Sequence, residues 1–361
     1  MKEFELEELE AATESFSPSR LIGKGSHGSV YRGVLKGGRH VAVKKQSLGL
    51  RKLRDDSKLE NEARILSSLN QNSCLINLLG ISHDVSGSKI IVTHYMPNGT
   101  LHELLHFSTT APPWPKRVEI ALQIAKGVCF LHESNPSIVH RDIKSANILF
   151  DGNWNVKIAD FGLAIRLNSA DELNLPAGTI GYLDPSYTTA SKVSTKTDVF
   201  SYGVVLLELI SGRKVMDMLK SPPSIVEWAV PLIEKGRFVE VCDERVHLPR
   251  YMEATIKRLL GVAVCCLSPM ENDLRPSMDE IVMNLKNFVI VEPVRFPFLM
   301  NFIRDIIFNM MRRRKLKYDA MATITTNGAC TDHDWESGHD GNSMSKGTLL
   351  VREILADITL K

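Results

Sequence analysis

The chain has 361 residues, 43% of them hydrophobic, and its 44 basic residues nearly balance its 42 acidic ones. A chain of this length exceeds what one hydrophobic centre usually supports, so we expect two lobes or two domains. The near-neutral charge creates no long-range field that would attract nucleic acid, which we therefore do not predict as a partner.

The start of the chain has neither an apolar signal core nor a glycine at position 2. A secretory signal and N-myristoylation are thus not predicted, and we expect a cytoplasmic protein with reduced cysteines, since the six cysteines lack CxxC spacing. Residues 1–15 are acidic, and Leu6, Leu9 and Ala12 recur at helical spacing. They predict a lead-in segment with a short helix, which packs on the protein or, alternatively, binds a partner.

The pattern from Leu21 to Lys45 alternates around Gly37-Gly38, which predicts two strands joined by a tight hairpin. Residues 55–69 have apolar residues at helical spacing, and residues 90–92 resemble a short buried strand. Beyond the turn signal at residues 97–99 the pattern is mainly helical, with one helix over residues 204–210 that is apolar on nearly all sides. The fold class is therefore α+β, with a small, mainly β part before a larger, mainly α part.

Residues 23–30 have the pattern GxGxxGxV. A GxGxxG also occurs in dinucleotide-binding folds and in structural turns, but in a dinucleotide fold the glycines open a helix, whereas here they precede a strand. A hairpin without side chains can lie close over phosphates and offer them backbone N–H groups. The predicted nucleotide-binding residues of this segment are Ile22, Gly23, Lys24, Gly25, Ser26, His27, Gly28, Ser29 and Val30.

Lys44 lies on the second predicted strand, where Ala42 and Lys44 share one face and the adjacent valines the other. The small Ala42 leaves room for a flat base, and the Lys44 ammonium comes at phosphate distance from it. A buried ammonium needs an anionic partner to stay charged, and Glu62 on the following helix is the candidate. The alternative is an ordinary exposed strand lysine.

Residues 140–147 read HRDIKSAN and are followed by Asp160-Phe161-Gly162. Phosphoryl transfer needs a group that positions or deprotonates the attacking hydroxyl, and oxygen ligands for the Mg²⁺ that bridges the phosphates. Asp142 is the candidate for the first task. Asn147 and Asp160 are the candidates for the second, because Mg²⁺ takes few protein ligands and keeps several waters.

These motifs resemble those of eukaryotic protein kinases over residues 4–290, and within them the plant receptor-like, Pelle-related group. Features similar to that group are FELEEL from residue 4, YMPNGTL from residue 95, HRDIKSAN and the sequence GTIGYLDP from residue 178. Because no membrane-spanning segment precedes the kinase-like part, the resemblance points to the receptor-like cytoplasmic serine/threonine class. It implies a bilobal kinase domain over residues 16–290, with an N-lobe over 16–96 and a C-lobe over 97–290.

The resemblance also implies roles for individual residues. ATP would contact the glycine hairpin and Lys44, which pairs with Glu62, while Asp142 would accept the proton and Asn147 and Asp160 would bind magnesium. Further nucleotide-side residues would be the gatekeeper and the hinge segment, here Thr93, Tyr95 and Met96. Lys144, two residues after Asp142, resembles the serine/threonine pattern rather than the tyrosine one. Thr179 would help to place the acceptor hydroxyl, and Asp198 would brace the backbone of the catalytic loop from the buried helix.

Position 186 departs from the family pattern, which has glutamate where this chain has Ser186. The family's glutamate pairs with an arginine that corresponds to Arg275. Three outcomes stay open: Arg275 pairs with Asp184, it is hydrated, or the large lobe is less stable. The departure also keeps an alternative function open, a catalytically weak pseudokinase scaffold that binds nucleotide and partner kinases.

Regulation by phosphorylation is expected in the segment after Asp160. Arg141 precedes Asp142, and its guanidinium can bind a phosphate bidentately, so phosphorylation of Ser169 would order the segment that contains Thr179. Expected partners are protein substrates with serine or threonine acceptors and an upstream receptor kinase.

The tail after residue 290 divides into an amphipathic basic segment over residues 291–317 and a flexible tail over 318–361. Residues 296–311 are apolar but interrupted by Arg304 and Asp305, and the run is too short to cross a bilayer. A basic cluster over residues 312–317 follows it. Residues 296–317 would bind the anionic inner face of the plasma membrane or a calmodulin-like groove, or else pack on the large lobe.

Overall fold

The computed structural model describes residues 2–25, 28–46, 57–69, 72–167, 177–185, 193–268 and 275–290. Residues 287–290 are described by their backbone alone. Several sequence predictions lie outside these residues, namely those on Ser26, His27, Ser169, Ser186 and the segment after residue 290. Of the cysteines, Cys330 also lies outside, and the five in the described part are free thiols.

The small lobe is built on a six-stranded sheet with the strand order β1-β5-β6-β4-β3-β2. All neighbouring strands are antiparallel except β1, which runs parallel to β5 at one edge. The elements are β1 (Lys2–Glu3), α1 (Leu6–Ala12), β2 (Leu21–Gly25), β3 (Gly28–Val34), β4 (His40–Lys45), α2 (Ser57–Ser68), β5 (Leu78–His83) and β6 (Lys89–His94).

The predicted lead-in helix is α1, and it packs on the sheet. Leu9 of α1 is fully buried in a cluster with Phe4, Val41 and Val43. The side-chain period of two leaves Ala42 and Lys44 on the opposite face of β4, as the sequence predicts. The N-terminal segment thus covers one face of the sheet and leaves the other for Lys44.

The turn between β3 and β4 is the predicted tight hairpin. Gly37 and Gly38 both have positive φ, 92° and 80°, a conformation that glycine adopts without steric cost. The Gly38 N–H donates to the carbonyl oxygen of Leu35 at 3.0 Å, which closes the turn. The ladder from Val34 to Ser29 therefore pairs residue by residue with β4 up to Lys45.

The large lobe is mainly helical and carries two short two-stranded sheets, β7 with β10 and β8 with β9. Together with the small lobe this confirms the predicted bilobal α+β architecture. The elements are α3 (Leu101–His106), α4 (Trp114–His132), β7 (Ile138–Val139), β8 (Ile148–Phe150), β9 (Val156–Ile158), β10 (Ile165–Arg166), α5 (Thr195–Ser211), α6 (Ile225–Glu234), α7 (Arg250–Cys266) and α8 (Met278–Ile290). Single 3₁₀ turns occur at Ser145–Asn147, Phe161–Leu163 and Phe238–Val241.

Helix α5 lies in the middle of this lobe, as its uninterrupted apolar run predicts. Every residue from Thr197 to Ile210 is buried. The Ser194 side chain caps its first turn by accepting from the Lys196 N–H, and Gly212 ends it with φ 64°. A helix buried on all sides can hold polar groups in fixed positions, and α5 holds Asp198 and Glu208. Within the described ranges, no helix has the length and apolar character needed to cross a membrane.

Candidate active site

Lys44 is held where the two lobes meet. Its Nζ lies 2.6 Å from Glu62 Oε2 on α2 and 2.7 Å from Asp160 Oδ1, which follows β9 in the large lobe. The contact with Glu62 was predicted from the sequence, whereas the one with Asp160 was not. Ala42 lies opposite Thr93 in the ladder between β4 and β6, so these residues are neighbours of Lys44 on the same sheet.

The charge of Lys44 is stabilised by its neighbours. Burial by itself lowers the pKa of the Lys44 ammonium, but the Asp160 and Glu62 carboxylates outweigh burial and raise that pKa above its ordinary value. The side chain of Lys44 is 13% exposed and that of Asp160 is 22% exposed. The ammonium is therefore a permanent cation that stays accessible to an anion.

The glycine hairpin joins β2 and β3, and Gly25 pairs with Gly28 at its end. Gly28 has φ 136°, and a Cβ there would lie 2.5 Å from the carbonyl oxygen of Lys45. Any larger residue would push the hairpin away from β4. The glycine at position 28 is thus required for the hairpin to stay against the strand that carries Lys44.

The catalytic loop, residues 140–147, is attached to α5 through Asp198. Its carboxylate accepts the backbone N–H groups of His140 and Arg141, both at 2.8 Å, and lies 2.9 Å from His132 Nε2. Arg141 has φ 68°, a left-handed conformation that costs energy for a residue with a side chain. The two hydrogen bonds from Asp198 hold this turn, which confirms the predicted bracing role.

Asp142 lies at the centre of a hydrogen-bonded group. Its Oδ1 accepts from the Thr179 hydroxyl at 2.6 Å, and its Oδ2 accepts from Lys144 Nζ at 2.9 Å and Asn147 Nδ2 at 3.0 Å. Lys144 Nζ also donates to Thr179 Oγ1 at 2.7 Å. Burial and the nearby Asp160 raise the pKa of Asp142, but Lys144 and the Thr179 hydrogen bond prevail and lower it, so Asp142 is ionised.

Asn147 and Asp160 have a donor set that fits a hard divalent cation. The Asn147 amide nitrogen donates to both the carbonyl and the carboxylate of Asp142, which directs the amide oxygen elsewhere. The backbone N–H of Ala159 donates to the backbone carbonyl of Asn147 at 2.9 Å, so the chain just before Asp160 is hydrogen-bonded to Asn147. One amide oxygen and one carboxylate match what Mg²⁺ takes from proteins.

The predicted gatekeeper and hinge residues come at the end of β6. Thr93 is half-buried and Met96 is buried, which places both at the edge of the core. The ring of Tyr95 lies 6.2 Å from that of His40 and 5.1 Å from the guanidinium of Arg32. Because Thr93 pairs with Ala42, the two side chains lie on the same face of the sheet. Tyr95 packs toward His40 at the start of β4.

Asn61 is a residue that the sequence analysis missed. Its amide nitrogen contacts three carbonyl oxygens directly after Asp160, those of Phe161 at 3.4 Å, Gly162 at 3.1 Å and Ala164 at 2.7 Å. Asp160 has φ 67°, an uncommon conformation that the surrounding structure must hold. Asn61 thus connects α2, which carries Glu62, to the segment that carries Asp160. The contacts span 100 or more residues, so no local pattern could have identified them.

Arg275 already has a carboxylate partner. Its guanidinium forms a bidentate ion pair with Asp184, and its Nε donates to the Ser268 carbonyl. Both side chains are almost fully buried. Of the three outcomes left open for Arg275, the pairing with Asp184 is the one observed. A glutamate introduced at position 186 would therefore meet an Arg275 guanidinium that already has a carboxylate partner.

The comparisons with known proteins agree with this geometry. Residues 16–284 match the protein kinase domain family. Two serine/threonine-protein kinase-like proteins of Arabidopsis thaliana are similar to the chain, one 44% identical over 88% of this chain and 96% of the relative, the other 46% identical over 78% of each. A proline-rich receptor-like protein kinase of the same plant is 39% identical over 78% of this chain but only 40% of its own length. With a matching domain over most of its length and these relatives, the chain belongs to the protein kinase family.

Proposed function

We propose that this chain transfers the terminal phosphoryl group of ATP to serine and threonine hydroxyls of protein substrates in intracellular signalling. The observation that carries the proposal is the placement of an ionised Asp142, hydrogen-bonded to Thr179 and Lys144, in the lobe whose Asp160 pairs with Lys44. Membership of the kinase family implies ATP as the donor and a divalent metal. Two groups of charges, one for the phosphates and one for the acceptor, are what such a reaction needs.

ATP binding is assigned to the small lobe and the segment after it. The glycine hairpin from Ile22 to Val30 covers the phosphates with backbone N–H groups, and Lys44 neutralises them while Glu62 keeps the lysine oriented. The adenine lies between Ala42 and the segment with Thr93, Tyr95 and Met96. The contact between Ala42 and Thr93 across the ladder supports a common adenine site.

Asn147 and Asp160 are the residues that would hold Mg²⁺, which when bound neutralises the charge that builds up on the phosphate oxygens. The chain itself provides the rest. Asp142 accepts the hydrogen bond of the acceptor hydroxyl and then its proton, for which the carboxylate must be ionised. Lys144 lies 2.9 Å from Asp142 and balances its charge, and Thr179 exchanges its hydrogen bond for one with the substrate segment.

The preference for serine and threonine is supported by two observations. Lys144 stands two residues after Asp142, in the pattern of kinases that act on these hydroxyls. The names of both highly similar relatives contain the term serine/threonine-protein kinase. A scaffold without activity is disfavoured, because Lys44, Asp142 and Asp160 are all present and mutually placed.

A radiolabel transfer experiment tests the proposal. The purified chain with Mg²⁺-ATP should label myelin basic protein on serine or threonine, and Asp142→Asn should not. Asp217→Asn is the matched control, because the Asp217 carboxylate accepts the backbone N–H of Leu219 in a local turn and asparagine can keep that hydrogen bond. Equal labelling by wild type and Asp142→Asn, or none by the wild type under any phosphorylation state, would contradict the assignment.

Regulation through the segment after Asp160 belongs to the same proposal. A phosphate on Ser169 would bind Arg141, whose backbone N–H is fixed by Asp198, and an upstream receptor kinase is the expected source of that phosphate. Mass spectrometry of the active protein should find phosphate between Asp160 and Asp184. Its absence from fully active protein would contradict this mode of activation.

We also propose cytoplasmic action with peripheral attachment to the inner membrane surface through residues 296–317, with a calmodulin-like protein as the alternative partner. The basic cluster at residues 312–315 supports both. Liposome co-sedimentation with and without phosphatidylserine tests the first alternative. Equal sedimentation after deletion of residues 293–361 would exclude it.

A further inference from the structure

A second group of chemically active side chains lies beside the catalytic loop and has no part in phosphoryl transfer as proposed above. His102 and His106 are four residues apart on α3, so both project from one face of that helix. They meet Glu208, which projects from the buried helix α5. Ser145 of the catalytic loop and Tyr182 complete the group.

The distances within this His-His-Glu cluster are short. His106 Nε2 lies 2.8 Å and His102 Nδ1 lies 3.9 Å from the same oxygen, Glu208 Oε1. The three atoms all lie within 4.8 Å of one another. The side chain of Glu208 is 1% exposed and that of His106 is 3% exposed, whereas His102 is 22% exposed and offers a route from solvent.

We propose that His102, His106 and Glu208 form a binding site for Zn²⁺. Zinc bonds of about 2.0–2.2 Å to nitrogen and oxygen in a tetrahedron place ligand atoms roughly 3.3 Å apart. The two separations from Glu208 Oε1, 2.8 and 3.9 Å, lie on either side of that value, and the two histidine nitrogens lie within 4.8 Å of each other. Side-chain movements of about 0.5–1.5 Å would bring the three atoms to tetrahedral spacing. Two imidazoles and one carboxylate leave a fourth position for water.

The surroundings orient the ligands. Glu208 Oε2 accepts from the Tyr182 hydroxyl at 2.6 Å, which turns Oε1 toward the two histidines. Ser145 Oγ donates to Oε1 at 2.8 Å and lies 3.4 Å from His102 Nδ1. Such partners fix the orientation of metal ligands and strengthen binding. Mg²⁺ and Ca²⁺ do not suit the site, because they prefer oxygen ligands throughout.

A bound zinc would act on the kinase through the same contacts. Ser145 is three residues after Asp142, and Tyr182 is three residues after Thr179. Metal on Oε1 competes with the Ser145 hydroxyl for that oxygen and ties α3 to α5. The site is thus placed to alter the position of the catalytic loop without touching the nucleotide.

Zinc content of the full chain is the direct test. After removal of metal with a chelator, wild-type protein is equilibrated with Zn²⁺ and its bound zinc and melting temperature are measured. We expect one more bound zinc in the wild type than in His102→Ala or His106→Gln. The zinc affinity of each variant should fall by more than the 10–100-fold that loss of a hydrogen-bonding partner of a ligand costs. His106→Gln keeps an amide donor for Glu208, and His102→Ala changes a partly exposed side chain, so at least one variant should fold.

The chain offers two matched controls. Cys330, His333 and His339 are zinc-binding residue types outside the described residues, and a Cys330→Ser, His333→Gln, His339→Gln variant should retain the site's zinc. Glu133→Gln changes a second potential metal group, Cys129 with Glu133 and Asp279, and should retain it too. Zinc binding that is unchanged in both His102→Ala and His106→Gln, or zinc lost only in either control, would overturn the proposal, as would a wild type that binds no zinc.

Discussion

Two kinds of buried ion pair in this protein differ in what surrounds the cation. Lys44, where the lobes meet, is shared by two carboxylates and remains 13% exposed. Arg117 in the large lobe is fully buried and donates to the carbonyls of Pro112, Leu209 and Ile210 and to Asp243. The Lys44 ammonium can turn toward a ligand. The N–H groups of the planar Arg117 guanidinium already donate to main-chain carbonyls and to Asp243.

The difference separates function from stability. Burial outweighs the nearby Asp243 carboxylate and lowers the pKa of Arg117, and its guanidinium already donates to main-chain carbonyls and to Asp243. Arg275 with Asp184 belongs to the same class. We therefore expect substitutions near Lys44 and Asp142 to change rates, and substitutions of the buried arginines to change the free energy of unfolding.

The largest effect is expected for Asp142→Asn, with Lys44→Met as a second variant. Loss of the group that accepts the proton should lower kcat by about 10²–10⁴-fold. The melting temperature should change little, because asparagine keeps the size and hydrogen bonding of Asp142, and the Asp160 side chain beside Lys44 is 22% exposed and stays hydrated. Steady-state kinetics at saturating Mg²⁺-ATP, combined with thermal unfolding, measures both. If the variants turned over as fast as the wild type, the Lys44 and Asp142 pairs could not be distinguished from the buried arginine pairs by their effect on the rate.

For Arg275→Met we expect the opposite profile. Asp184 would be left as a buried charge without its guanidinium partner, which costs about 3–5 kcal/mol in the free energy of unfolding. Urea denaturation of the nucleotide-free protein gives that value. Arg237→Met is the control, since its pair with Glu240 is about half exposed and should contribute less than about 1 kcal/mol. Similar losses for both arginines would show that burial does not decide the effect.

Asn61→Leu should lie between these extremes. Loss of the amide donor releases three carbonyls after Asp160 and lets α2 move, so we expect kcat/KM for ATP to fall about 10-fold with a loss of roughly 1 kcal/mol of stability. Arg64→Gln is the control, because the exposed Arg64 side chain donates to the amide oxygen of Asn61 and leaves the Asn61 amide nitrogen, which contacts the carbonyls, in place. An unchanged kcat/KM in Asn61→Leu would reduce Asn61 to a packing role.

The pH dependence of stability sharpens the comparison further. Burial raises the pKa of Asp198, but its hydrogen bonds with His132 and His140 prevail and lower it below the ordinary 3.8. A group whose pKa is lowered in the folded state stabilises the protein at pH values above its pKa in the unfolded chain. That stability is lost as the pH falls through the pKa of the folded state. We expect the melting temperature to fall below about pH 4, and less steeply in Asp198→Asn. Parallel curves for both proteins would exclude Asp198 as a source of acid sensitivity.

The smallest effect is expected for Ser186→Glu. Because Arg275 already pairs with Asp184, a second carboxylate gains little from that guanidinium, and the free energy of unfolding should change by less than about 0.5 kcal/mol. Urea denaturation measures it. A gain of 1 kcal/mol or more would show that Asp184 satisfies Arg275 incompletely.

Much of the site could be predicted from the sequence because its determinants are local. The period of two along β4 is enough to place Ala42 and Lys44 on one face, and the spacing within residues 140–147 keeps Asp142 and Asn147 on one loop. The buried helix α5 and the hairpin at Gly37-Gly38 follow from composition over a few residues. The predicted contact between Lys44 and Glu62 is present because a strand and the helix after it are neighbours in space.

Other features were decided only by the tertiary structure. Asn61 contacts carbonyls that lie 100 or more residues away, Asp184 pairs with Arg275, and His102 and His106 meet Glu208 across two helices. A hydrogen-bonding side chain can reach only about 3 Å to its partner, so its choice depends on how distant segments pack. The sequence by itself therefore determined the chemistry of the site, whereas the packing of the lobes decided which residues hold it in place.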